Sequence, residues 1–308
     1  MQENKGHRNP FLSAPVLILP LLVLFGALSF ISIGSVKGNS AYIIALVAVL
    51  LIFGFSITLS FYLCGGGWMS RCFAGGKKGS LLLAVSAASM MMVQSVGIRS
   101  FLTENFYDYR LYSLYGMSFE SVTDSTGTFL LMFVALAVFP VLAEEILFRG
   151  FLLHEYRYGG VLLSTVITSF LYAMSGMSLW DFPIHFLNGV LLSAVVFLTG
   201  NLFYSVLAHL LYALFAMSFE KYLFFVAMET RILIFLVLVA WGFFSAIGFC
   251  GSAEKLLRQR GENEERAPIR LKKGKFFVIL KDIFAAPMIW ADIGCFALIS
   301  VLHIFLDA

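Results

Sequence analysis

The segment Ala143-Glu144-Glu145-Ile146-Leu147-Phe148-Arg149-Gly150 sets two adjacent carboxylates and a guanidinium directly behind a long apolar run. Ionisable groups are costly in apolar surroundings, so those that occur there are candidates for function. On a helix Glu145 and Arg149 stand four residues apart on one face and can pair. Glu144 then points about 100° away and keeps its carboxylate for another partner. Such a carboxyl suits a general base that must later return its proton as an acid. The second candidate is His209, centred in the apolar stretch LFYSVLAHLLYALFAMS at 202–218 of a chain with five histidines. The third is His185, which follows Asp181-Phe182-Pro183-Ile184. Each also has a plainer reading: an interfacial acid pair, a hydrogen-bonded core histidine and an outer-interface histidine.

The elements that would position these residues belong to a membrane protein. The 308-residue chain is 60% hydrophobic and 13% charged, about half the charged share of a soluble domain, with mean hydropathy +0.91. Apolar stretches near the length that spans a bilayer recur at 11–34, 41–64, 80–98, 128–155, 160–176, 182–199, 202–218, 223–250 and 284–305. The expected fold is an all-α polytopic transmembrane bundle of about nine spanning helices. The first run exceeds the apolar core of a signal peptide, so it reads as a span. Lys and Arg cluster at Lys5 and Arg8, at Arg71, Lys77 and Lys78, at Arg149 and Arg157, and through 252–275. The positive-inside rule therefore places the amino terminus and 252–275 in the cytoplasm and 99–127 outside. Three parts follow: 1–127 with the first helices and an outer loop, 128–218 with the candidate residues, and 219–308 with the last helices and the basic linker 252–275. The net charge of +3 sits at segment ends and gives no case for nucleic acid. Cys64, Cys72, Cys250 and Cys295 lack metal-type spacing and read as buried reduced thiols. Asp292, inside the last run, has no partner that sequence alone identifies.

Glu144-Glu145-x-x-x-Arg149-Gly150, continued by Phe148-Arg149-Gly150, resembles the first motif of the CPBP family, the CAAX-prenyl-type and bacteriocin-processing intramembrane proteases of the Abi group. The resemblance covers roughly 128–218. TSFLYAMSG at 168–176 falls where the family's second motif, F-x-x-x-H, belongs, and Phe186-Leu187-Asn188-Gly189 looks like the Gly-containing helix between motifs. Thr199-Gly200-Asn201-Leu202 followed by Ala208-His209 resembles the start of the last motif, H-x-x-x-N. Two positions depart: Tyr172 keeps the aromatic but Gly176 stands for the histidine, and Ala213 stands for the asparagine.

The resemblance implies a membrane-embedded endopeptidase of the bacterial plasma membrane, multi-pass, cutting a membrane-associated protein or peptide. Glu144 would activate a water, His209 would hold it or stabilise the oxyanion, and Glu145 and Arg149 would fix the geometry. The resemblance also implies zinc, held by Glu144 and His209, or a water with no metal. Two donors are fewer than the three protein ligands usual for catalytic zinc, and His185 is the candidate substitute for the missing histidine. The losses at 176 and 213 support a second reading, an inactive member serving as a membrane scaffold or bacteriocin-immunity protein. A transporter is the third, although corresponding broken helices in two halves are not found. The four principal residues are expected to share one cavity, nearer the cytoplasmic face.

Overall fold

A computed structural model describes residues 10–30, 39–64, 80–105, 113–114, 117–118, 126–220, 231–262 and 273–306. Apart from a two-residue antiparallel pair, Ser113–Leu114 with Met117–Ser118, these residues are almost all helical. In hydrocarbon a backbone must satisfy its own hydrogen bonds, and a helix does so within one segment. The elements are α1 (Pro10–Phe30), α2 (Asn39–Cys64), α3 (Ser80–Asn105), α4 (126–156), α5 (Gly160–Ser175), α6 (Phe182–Thr199), α7 (Leu202–Phe215), α8 (Arg231–Glu262), α9 (Lys273–Ala285) and α10 (Pro287–Leu306). Each of the nine expected spans falls on a helix. Seven are long and apolar enough to cross a membrane, and the apolar helices Pro15–Phe30 and Gly160–Ser175 are shorter. At 16 residues α5 reaches about 24 Å, less than the roughly 30 Å hydrocarbon core. Most of its residues are buried among its neighbours.

The outward faces are apolar. Leu51 is 67% exposed, and Ile232, Leu233, Phe235 and Phe244 on α8 are exposed as well. In water so large a patch would drive association; in lipid it is the solvated surface. The chain is a multi-pass membrane protein.

Two boundaries differ from the hydropathy reading. α3 continues to Asn105, which puts Arg99 on a helix instead of in the outer loop. α8 runs to Glu262, so the first part of the expected linker 252–275 is helical. An exposed i,i+4 pair, Arg258 Nη2 to Glu254 Oε1 at 2.6 Å, sits on that extension; the residues 263–272 lie outside the described ones. The thiols also differ: Cys250 is exposed and Cys295 half-buried, both free, because hydropathy does not say which helix face meets lipid. Cys72 lies outside the described residues.

α5 and α6 form a close pair made possible by small residues. A Cβ on Gly189 would lie 2.8 Å from the Cβ and 2.9 Å from the Cα of Ser169. Small residues at such crossings let helices approach and gain dispersion contacts. Gly189→Val should therefore push α5 and α6 apart and cost about 1–3 kcal/mol, as overpacking does, read as a lowered thermal midpoint in detergent.

α10 packs mainly on α1, and Ser29 Oγ lies 2.8 Å from His303 Nε2 near their ends. Asp292 is fully buried on α10, and both its carboxyl oxygens lack a hydrogen-bond partner among the described residues. A buried polar group without partners costs about 1–3 kcal/mol. Asp292→Leu is thus expected to leave stability unchanged or raise it, measured by the same thermal midpoint; a large loss would mean that the carboxyl has a partner.

Candidate active site

α4 is not a uniform helix. It widens to a π-helix at Val134–Val138, returns to α at Phe139–Glu144 and widens again at Glu145–Leu152. Pro140 lies between the two wide turns. A proline in a helix lacks its amide donor and crowds the preceding turn, and π-bulges are frequent where side chains are re-aimed at functional sites. Here the widening brings both glutamates and Arg149 to the interior: Glu145 is fully buried, Arg149 is 3% exposed and Glu144 6%.

α7 is phased by the turn before it. Gly200 closes α6 in the left-handed region at φ 70°, a conformation glycine adopts without a Cβ penalty. Asn201 then caps α7, its side-chain oxygen accepting from the Phe203 amide at 2.8 Å. Counting from this cap, Ser205, His209 and Tyr212 fall on one inward face, and all three are buried.

The two helices meet at His209. Its Nδ1 lies 2.9 Å from Glu145 Oε1 and its Nε2 3.7 Å from Glu144 Oε2. Because a carboxylate only accepts, Nδ1 carries the proton toward Glu145, and in the neutral ring Nε2 is left to accept. The Tyr172 hydroxyl stands 3.3 Å from that Nε2. Glu145 is further held by the Ser205 hydroxyl, which donates to its Oε2, and by Arg149 Nη1 at 3.2 Å. The Arg149 guanidinium lies over the Tyr172 ring, 4.1 Å from its centroid, a cation–π contact that strengthens when both groups are dry.

Glu144, Tyr172, Gly176, His185, His209 and Ala213 line one cavity of about 60 Å³. This is room for one or two waters. The cavity also touches Arg99, whose Nη2 is 3.2 Å from Asp181 Oδ1. Glu144, Glu145, Arg149 and His209 thus converge, but only Glu144 and His209 line the cavity, with Glu145 held against His209 Nδ1 and Arg149 against Glu145. Glu145, expected only to pair with Arg149, is also the carboxylate that orients His209. The cavity extends from His209 toward the helix ends at Arg99, Gly176 and Ala216, the side where 99–127 joins α3 to α4. Helix spacing placed each residue on its helix, but not where along the helices the space lies.

Sequence reasoning missed Ser205 and the role of the Tyr172 hydroxyl. Ser205 had a signal, since it stands four residues before His209 on the same helix face. It also missed the Arg99–Asp181 pair, because α3 was ended at 98, seven residues before Asn105. His303 and Asp292 lie on α10, apart from this cluster. As for zinc, no group of three or more His, Cys, Asp or Glu side chains at ligating spacing occurs among the described residues. Glu144 and His209 alone are one donor short of the usual catalytic set, so this donor set does not fit a three-ligand zinc.

No curated protein and no solved structure gives a match to the chain. Residues 126–215, the stretch from the start of α4 to the end of α7 that carries both glutamates, Arg149 and His209, match the model of a family described as type II CAAX prenyl endopeptidase Rce1-like.

Proposed function

We propose that the chain is an intramembrane endopeptidase of the bacterial plasma membrane that hydrolyses a peptide bond of a membrane-associated protein or peptide in the Glu144–His209 cavity. The observation that carries this reading is the geometry of His209, held at Nδ1 by one buried carboxylate and facing a second across the cavity at Nε2. Glu144 takes a proton from the attacking water as the water oxygen bonds to the peptide carbonyl carbon, and the Glu144–His209 pair returns that proton to the leaving amine as the C–N bond breaks. Glu145, Ser205 and Arg149 do not touch the substrate in this scheme; they hold the imidazole in one tautomer and one plane.

Ala213 favours a second reading, a peptide-binding scaffold or immunity protein. It lines the cavity and offers no polar group to a developing oxyanion. The two readings separate in one assay. The full chain, reconstituted in vesicles, is mixed with membrane-anchored peptides labelled at both ends. Accumulation of two products with time is expected; saturable binding with both labels still on one peptide would support the scaffold. Orientation is tested alongside: a cysteine at position 260 should react with impermeant reagents only from the cytoplasmic side.

A further inference from the structure

Gly176 stands at the end of α5 with φ −67° and ψ −11°, a backbone that any residue adopts. Conformation therefore gives no reason for glycine there. Space does. A Cβ at 176 would lie 2.7 Å from Cδ2 and 2.9 Å from Nε2 of His185. The imidazole of His185, delivered from the first turn of α6, fills the place in which a side chain at 176 would begin. Its backbone amide donates to the Asp181 carbonyl at 2.9 Å, and Asp181 is itself held by Arg99. The crossing of Gly189 on Ser169 presses α6 onto α5 and keeps the ring there. Tyr172 stands edge-on to both histidines, with ring centroids 5.7 Å from His185 at 87° and 6.1 Å from His209 at 89°.

We infer that His185 is the second histidine of the catalytic cavity, a hydrogen-bond donor to the substrate carbonyl oxygen as it becomes an oxyanion, and that glycine at 176 is the space that admits it. This rests on the endopeptidase reading. The imidazole has moved from one helix of the α5–α6 pair to the other while facing the same cavity as Glu144 and His209. It follows that Gly176→His alone does not add a histidine; it sets two rings against each other.

The test uses the full chain in detergent for stability and in vesicles for cleavage. Gly176→Ala should lower the thermal midpoint by several degrees in the native background and much less beside His185→Ala, since the clash partner is gone. Equal losses in both backgrounds would overturn the placement of the ring. For chemistry, His185→Ala should lower kcat about 10²-fold, as loss of one oxyanion donor does, with KM little changed. Gly176→His should also be poorly active, and the double variant Gly176→His with His185→Ala should recover at least about tenfold over either single change. An unchanged kcat in His185→Ala, with Glu144→Gln inactive, would overturn the inference and leave the endopeptidase reading standing. Absence of cleavage by the native chain would overturn both.

Discussion

Glu144→Gln should reduce peptide cleavage by about 10³-fold or more while the protein keeps its thermal midpoint. General-base assistance contributes roughly 10²–10⁴-fold, and here the same carboxylate also returns the proton to the leaving amine. The substitution keeps shape and volume and replaces one carboxylate oxygen with an amide nitrogen that cannot accept a proton. Glu144 lines the cavity and is 6% exposed, so the neutral amide meets water or substrate there and is cheaper to bury than a carboxylate. His209 keeps its bond to Glu145, so the helices stay in register. Steady-state cleavage in vesicles and thermal unfolding in detergent check the two halves of the expectation. Loss of both together would make Glu144 a structural residue.

Arg149→Ala is expected to act on the fold first. The guanidinium sits between the Glu145 carboxylate, 3.2 Å away, and the Tyr172 ring, and its side chain is 1% exposed. Its removal leaves Glu145 fully buried with only His209 and Ser205 to hold it. Breaking a buried ion pair from one side costs about 3–5 kcal/mol. A large drop in the thermal midpoint should follow, with activity lost alongside. Arg149→Lys should recover only part of it, because an ammonium does not offer the flat face that lies on Tyr172. A rescue by Glu145→Gln in the Arg149→Ala background would identify the stranded carboxylate as the source of the loss. If Arg149→Ala were as stable as the native protein, Glu145 would have to be compensated by other means.

Much of this arrangement was legible in the sequence, for physical reasons. Spanning helices announce themselves because a bilayer demands long apolar runs, and each of the nine runs falls on a helix among the described residues. The Glu145–Arg149 pair follows from i,i+4 spacing, and it persists although the helix there is widened to π. The widening itself was not legible: Pro140 marks where α4 is under strain, but not that the turn beyond Glu144 would open. That opening lets both neighbouring glutamates approach one imidazole, which a regular helix with about 100° between successive side chains does not suggest. Ser205 was within reach of helical counting. The packing of His185 into the space at Gly176 was legible only as a coincidence of one lost and one extra histidine. Its physical cause, the close α5–α6 crossing at Gly189, appears only in three dimensions. The extension of α8 into the basic segment was hidden for another reason: hydropathy reports where the bilayer ends, not where a helix does.

The central claim is that water, activated in the Glu144–His209 cavity, attacks a peptide bond. The most direct measurement is cleavage of a membrane-anchored peptide in water enriched in ¹⁸O, with products weighed by mass spectrometry. The native chain should place one heavy oxygen on the new carboxyl terminus at a rate that depends on enzyme concentration, and the Glu144→Gln protein should leave the peptide intact. Intact peptide with the native chain, or heavy-oxygen product formed equally fast by Glu144→Gln, would contradict the account.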